Sequence, residues 1–264
     1  MIKKKKIWET VAAAFLACGL FFTVGSISSK ADSINNSQPG KKASVSFDHY
    51  SLKINGRRTP IYSGEFHYWR IPNQSLWSDV FQKMKASGYN TVQIYFDWGY
   101  HSPKPGVYDF SGPKNVDKVL DAAQKAGLYV IARPGPYINA ETDSGGFPGW
   151  LTRHKGVART ADPNYTKDYM QWLSQIDPII KRHQITSGGN VVLYQIENEY
   201  TGSDKTYMQD VINKAKKDGI SVPLFHNDVM DSGSWASGKG APDMYGYDHY
   251  SNLDKLPTNF DKPH

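Results

Sequence analysis

The sequence predicts an α/β fold, a (β/α)8 or TIM barrel, and three observations lead there. Short β-rich segments alternate with helix-periodic ones along the 264 residues, a pattern that builds a parallel sheet. Three helical segments end in a lysine with a glycine two or three residues on (Lys85/Gly88, Lys125/Gly127, Lys217/Gly219), and each leads straight into a strand. A cation in the last turn and a left-handed glycine stop suit a helix C-terminus. No dinucleotide-type glycine loop interrupts the series, which favours a closed barrel over a doubly wound sheet.

Taken in order, residues 61–67 read as the first strand. Ser75 then caps a helix with Leu76, Val80, Phe81 and Met84 on one face, stopped by Gly88,. Residues 91–98 make the second strand, and Pro113 starts a helix carrying Val116, Val119, Leu120 and Ala123,. Residues 128–133 are a continuous apolar run, as expected of a strand buried on both faces,. Tyr165, Tyr169, Trp172, Leu173, Ile176 and Ile180 stand at helical spacing, and 191–196 is the fourth strand. Tyr207, Val211, Ile212 and Ala215 mark the next helix, with 222–226 and 244–247 as the fifth and sixth strands. A parallel barrel needs eight strands. The expected architecture is therefore a barrel truncated after about six.

The first residues read as a secretory signal: Lys3, Lys4, Lys5 and Lys6 precede an apolar run over 11–24, and Ser29-Lys30-Ala31 offers a cleavage site,. The expected organisation is a signal peptide over 1–31, a polar flexible leader over 32–44 and a barrel domain over 45–264. A retained anchor is the competing reading, but the apolar run is short for a span. The expected product is secreted or cell-surface, with no stable membrane insertion after cleavage. Residues 1–31 hold five Lys and one Glu, hence +4 of the formal +6, so the rest carries no basic stripe that would point to nucleic acid,. The single cysteine, Cys18, falls inside the signal, leaving a mature chain with neither thiol nor disulfide,.

Chemistry in such barrels sits at the C-terminal ends of the strands. Reading only those ends gives Gly64-Glu65-Phe66-His67-Tyr68, Tyr95-Phe96-Asp97-Trp98 and Arg133 through the Asn139-Ala140-Glu141 triplet. The remaining ends are Gln195-Ile196-Glu197-Asn198-Glu199-Tyr200, His226-Asn227-Asp228 and Tyr247-Asp248-His249-Tyr250. Carboxylates, amides and aromatics converge on one rim, which is what glycoside hydrolysis needs. The 17 Tyr and 7 Trp suit sugar recognition, although most are expected to fill the core, and Trp98 and Trp150 read equally as wall packing or as sugar platforms,. No Cys/His cluster has zinc spacing and no phosphate loop is present, so neither metal nor cofactor is expected.

The runs SGEFHYWR, KMKASGYNTVQIYFDW, KPGVYDFSG, RPGPYINAE with GGFPGWL, and GGNVVLYQIENEY, in that order, resemble the family 35 glycoside hydrolases. The resemblance spans about residues 45–250 and implies a retaining β-galactosidase acting on terminal β-D-galactosyl residues of an oligosaccharide or glycan. It places the general acid/base at Glu199 and, at Asn198, the amide that bonds the sugar 2-hydroxyl. It matches Tyr95, Asn139, Ala140 and Glu141 to galactose-binding positions, and Tyr250 to a site tyrosine. Glu197, two residues before Glu199, reads as a hydrogen-bond partner behind the acid. Where many members have Asn-x-His-Glu after the tryptophan of the second strand, this chain has Gly99-Tyr100-His101-Ser102, which puts linkage preference in doubt.

A retaining mechanism also needs a nucleophile roughly 5–5.5 Å from the acid. The resemblance puts it on the seventh strand, on the order of a hundred residues later. No glutamate follows Glu199, and none of the aspartates after it has the family's nucleophile context. The nucleophile is expected beyond residue 264, and the 264-residue chain alone is expected to have no turnover. Two alternatives stand beside the β-galactosidase: a related glycosidase of other sugar specificity, and a non-catalytic carbohydrate-binding surface protein with a degraded barrel.

Overall fold

Five-residue apolar runs become the centre of a parallel sheet. In the computed structural model, which describes residues 41–229, 233–248 and 250, six strands pair in parallel: β4 (Ser63–Glu65), β5 (Thr91–Tyr95), β6 (Tyr129–Arg133), β7 (Val191–Gln195), β8 (Leu224–Val229) and β9 (Met244–Asp248). Their spatial order is their chain order. Doubly wound sheets reverse direction at a switch point, so this unbroken series is the order of a (β/α)8 barrel. Every residue of β6 and β7 is buried, as expected of strands covered on both faces.

Ahead of it lies a small antiparallel sheet that the strand pattern did not suggest: β1 (Val45–Phe47), β2 (Leu52–Ile54) and β3 (Arg57–Arg58). Asn55 and Gly56 join β2 to β3 with φ of 50° and 76°, the positive pair a two-residue hairpin turn requires. The signal region over 1–31 and most of the 32–44 leader lie outside the described residues. Of the leader's last residues, Ala43 is buried and donates its N–H to the Ile185 carbonyl (3.0 Å).

Among the described residues four long helices cover the sheet: α1 (Trp77–Ala86), α2 (Val116–Lys125), α3 (Pro163–Arg182) and α4 (Lys205–Asp218). The predicted glycine stops at Gly88, Gly127 and Gly219 have φ of 93°, 73° and 95°. The starts differ from the prediction. Asn73 rather than Ser75 is the capping side chain before α1, accepting from Ser75 N at 3.1 Å, and a 3-10 turn precedes the helix proper. Leu76 is consequently exposed, and Trp77 takes the buried place. Pro113 likewise sits in a 3-10 turn, while Asn115 caps α2 by accepting from Lys118 N at 2.9 Å. Both reflect the advantage of a side-chain carbonyl that satisfies an orphan N–H of the first turn.

Two strands end earlier than expected. β5 stops at Tyr95 because Asp97 caps a one-turn helix, Trp98–His101, accepting from Tyr100 N at 2.9 Å. β4 stops at Glu65, and a 3-10 turn, Tyr68–Arg70, follows. The core between sheet and helices is rich in aromatics. Trp172 of α3 is fully buried, its ring near-parallel to Trp98 (6.4 Å) and Phe110 (6.5 Å), and its Nε1 donates to the Pro134 carbonyl at 3.0 Å. Trp98 and Trp150, open at the sequence level between wall and platform, pack edge-on with each other at 5.8 Å within this layer. Among the described residues no helix is long and apolar enough to cross a membrane.

Candidate active site

Parallel pairing in sequential order sets all six strand C-termini on one rim, and the register aligns them: Glu65 opposite Gln93, Tyr95 opposite Arg133, and Val229 opposite Asp248. A cavity of about 310 Å³ opens there, lined by Glu65, Tyr95, Arg133, Asn139, Ala140, Glu141, Asn198, Glu199, Asp248 and Tyr250. All seven residues singled out from the sequence line it. Glu65, Arg133 and Asp248 line it as well; each stands at a strand end, but the sequence alone assigns them no role.

Arg133 organises the floor. Its Nη1 donates to Glu65 Oε1 and Gln93 Oε1, both at 2.9 Å, and its Nη2 donates to Asn198 Oδ1 at 2.8 Å. The guanidinium carbon lies 3.9 Å from the centre of the Tyr95 ring, a cation–π contact. Gln195 Nε2 (3.2 Å) and Asn227 Nδ2 (3.4 Å) also approach Asn198 Oδ1. With three donors around its oxygen, the Asn198 amide has one orientation, and its nitrogen is the group left for a ligand. Hydrogen bonding from His67 and the charge of Arg133 together hold the Glu65 carboxyl below its ordinary value, against the opposing effect of burial. Burial pushes the Tyr95 phenol well up, so it is a neutral hydroxyl.

Glu199 is partly buried, and Tyr250 donates its hydroxyl to Oε1 at 3.0 Å. Its proton affinity is raised, first by burial and then by a hydrogen-bonding interaction with the Asp248 carboxylate, while Tyr250 and Arg133 pull it down. Asp248 is itself held by Asn227 Nδ2 at 2.7 Å. A nearby carboxylate disfavours a second negative charge and so favours the protonated form of its neighbour. Asp248 thus tunes Glu199.

The Glu197 side chain has a different environment from that of Glu199. It is fully buried, lines no part of the cavity, and is paired with Arg159 at 2.7 Å. Beyond the end of β6, Asn139, Ala140 and Glu141 form three successive left-handed residues with φ of 53°, 50° and 45°. Such backbone persists in non-glycine residues only where the surroundings over-determine it. Arg70 supplies the constraint, its Nη2 donating to the carbonyls of Ala140 (2.8 Å) and Glu141 (2.7 Å).

The lining carries four carboxylates, Glu65, Glu141, Glu199 and Asp248, against one cation, Arg133. That balance suits a neutral polyol and opposes an anionic ligand. Among the described residues no group of three or more His, Cys, Asp or Glu is placed to hold a metal ion. A larger cavity of about 540 Å³ on the helical side, lined by Gly106, Tyr108, Met170, Gln171, Ser174 and Gln175, holds neither carboxyl nor imidazole and offers no acid–base chemistry.

The model of the glycosyl hydrolases family 35 matches residues 51–264. A probable β-galactosidase A of Neosartorya fischeri is 47% identical over 229 residues, which is 83% of this chain and 22% of that protein. A β-galactosidase of Aspergillus niger is 46% identical over 226 residues, covering 82% and 22%. A β-galactosidase A of a Penicillium species is 41% identical over 271 residues, covering 96% and 26%. The chain thus spans about a quarter or less of these relatives' lengths. Among solved structures, an exo-β-1,4-mannosidase of Opitutaceae bacterium strain TAV5 superposes with a TM-score of 0.58 at 15% identity, over 73% of this chain and 38% of that one. A β-galactosidase of the psychrophilic Marinomonas ef1 gives 0.56 at 13% identity, over 72% and 41%. At such identities the likeness speaks for the α/β barrel fold alone.

Proposed function

The chain belongs to glycosyl hydrolase family 35, and from that premise we propose that it is part of an extracellular enzyme that hydrolyses terminal, non-reducing β-D-galactosyl residues with retention of configuration. The observation that carries the reading is the placement of Glu199: a carboxyl of raised proton affinity opening into a neutral-sugar cavity beside an amide of fixed orientation. A carboxyl that holds its proton more tightly than usual is what the leaving glycosidic oxygen needs.

In this reading the galactosyl ring fills the cavity with Asn198 Nδ2 on its 2-hydroxyl, a contact that strengthens as charge develops at the anomeric carbon. Tyr95, Glu141, Asn139 and the backbone of Ala140 hold the other hydroxyls. Glu199 protonates the leaving oxygen, then deprotonates the water that releases the sugar. The nucleophile is a glutamate beyond residue 264. The extracellular assignment rests on the signal-like composition of residues 1–31.

A panel of aryl glycosides on the full-length gene product tests it. The β-galactoside is expected to be turned over in preference to the β-glucoside and β-mannoside. The β-galacturonide, which differs by one carboxylate, should be at least about tenfold poorer because it meets an acidic cavity. Preference for the mannoside, or binding of galactosides with no turnover of any, would overturn the reading.

The pH profile offers a second check with opposite signs. Asp248 raises the proton affinity of Glu199 and Tyr250 lowers it. Asp248→Asn should therefore move the alkaline limb of kcat/KM to lower pH, since the acid form is lost sooner. Tyr250→Phe should move the same limb to higher pH. Shifts in one common direction would contradict the assignment of Glu199 as the group that titrates.

A further inference from the structure

Asn198 and Glu199 project from a backbone that is itself held in an unusual conformation. Glu197 and Glu199 have φ of 61° and 45°, so the turn between them needs external restraint. That restraint comes from Arg159, a residue of the loop before α3 that does not line the cavity. Its Nε donates to Glu197 Oε1 at 3.0 Å, and its Nη2 donates both to Glu197 Oε2 and to the Asn198 carbonyl, each at 2.7 Å. Glu197 passes the constraint on, because its Oε2 also accepts the Asn198 N–H at 2.7 Å. Tyr207 of α4 closes the other side by donating its hydroxyl to Oε1 at 2.8 Å. Arg159 is in turn held over the Tyr137 ring, its guanidinium carbon 3.9 Å from the centre.

We propose that Arg159, acting through Glu197, is a positioning residue for the reaction: its guanidinium fork holds the 197–199 turn so that the Asn198 amide and the Glu199 carboxyl address the same sugar. The inference rests on the reading of Glu199 as the acid. Only a planar fork delivers two donors to one carboxylate and a third contact to the neighbouring carbonyl. A lysine keeps the charge and loses the geometry.

The test uses Arg159→Lys and Arg159→Gln in the full-length gene product, with Glu199→Gln as reference. Each is assayed on two β-galactosides with the same glycone. One is an alkyl galactoside, whose leaving group needs a proton; the other is a 2,4-dinitrophenyl galactoside, whose leaving group does not. Displacement of the acid by about 1 Å should cost on the order of 10²-fold in kcat/KM on the alkyl substrate. The loss on the activated one should stay under about tenfold, with thermal stability of the lysine variant near that of the parent. Equal losses on the two substrates, or no loss, overturn the positioning role. Should Arg159→Gln fail to fold, Arg159→Lys alone decides, because it retains the buried charge pair. If Glu199→Gln shows no split between the substrates, it is the acid assignment that fails. If it shows the split and the Arg159 variants do not, the Arg159 inference alone fails.

Discussion

Glu199→Gln is expected to lower kcat/KM for alkyl and disaccharide β-galactosides by about 10²–10⁴-fold, the range a positioned general acid contributes. Glutamine keeps the size of the side chain and can still accept from Tyr250, which bonds Oε1 at 3.0 Å. It has no proton of suitable acidity to give. The rest of the cavity lining is untouched, so substrate affinity should change little. For a dinitrophenyl galactoside the first step needs no proton, and kcat/KM should fall far less. Its kcat should still fall, because the galactosyl-enzyme waits for a water that the glutamine cannot deprotonate. A uniform loss across leaving groups would point instead to a damaged cavity. Kinetics of the full-length gene product on three leaving groups of graded acidity decide between these outcomes.

Trp172→Ala is expected to destabilise the barrel by about 3–5 kcal/mol, the range for removing a fully buried aromatic. The side chain has no exposure and meets the rings of Trp98, His101, Tyr108 and Phe110. Truncation opens a large cavity and also leaves the Pro134 carbonyl without its indole donor, otherwise held at 3.0 Å,. Pro134 follows directly on Arg133, so the loss reaches the floor of the site. Val157→Ala, at a residue 62% exposed, should change stability by no more than about 0.5 kcal/mol. Denaturant midpoints of the two variants against the parent test the contrast. Similar values for both would mean that the aromatic layer is not what holds α3 to the sheet.

The legible part of this molecule was periodic. The positions named for α2, Val116, Val119, Leu120 and Ala123, are all buried, as are the six named for α3. Burial on one helical stripe leaves a trace every three or four residues. The rim was legible too, where an apolar run gives way to polar residues, although β4 and β5 stop short of the expected ends. Helix starts were less so, because capping depends on which side-chain carbonyl reaches a free N–H. Asn73 and Asn115 do this where Ser75 and Pro113 were expected. The sheet of β1 to β3 was missed because its strands are two or three residues long, though Asn55-Gly56 between Ile54 and Arg57 was a readable hairpin signal.

Within the site, resemblance supplied residues that spacing alone does not distinguish. Asn139, Ala140 and Glu141 are a triplet whose use depends on three left-handed φ values and on Arg70 from another strand end. Arg133, Glu65 and Asp248 entered no prediction, because their roles arise from contacts between strands far apart in sequence. The Arg133 bonds to Glu65 and Asn198 bridge separations of 68 and 65 residues. Glu197 was separable from Glu199 by its place before the asparagine. Its buried pairing with Arg159 at 2.7 Å supplies the physical reason that it is unavailable to a substrate.

The most direct test of Glu199 as acid/base is azide rescue of Glu199→Ala in the full-length gene product, on 2,4-dinitrophenyl β-galactoside. Without a base, the galactosyl-enzyme formed in the first step accumulates, and a small anion occupying the vacated carboxyl's place can attack it directly. The account predicts that azide restores turnover and yields β-galactosyl azide, with retained configuration. An α-configured azide, or turnover of the alanine variant that azide leaves unchanged while the product remains galactose, would contradict it.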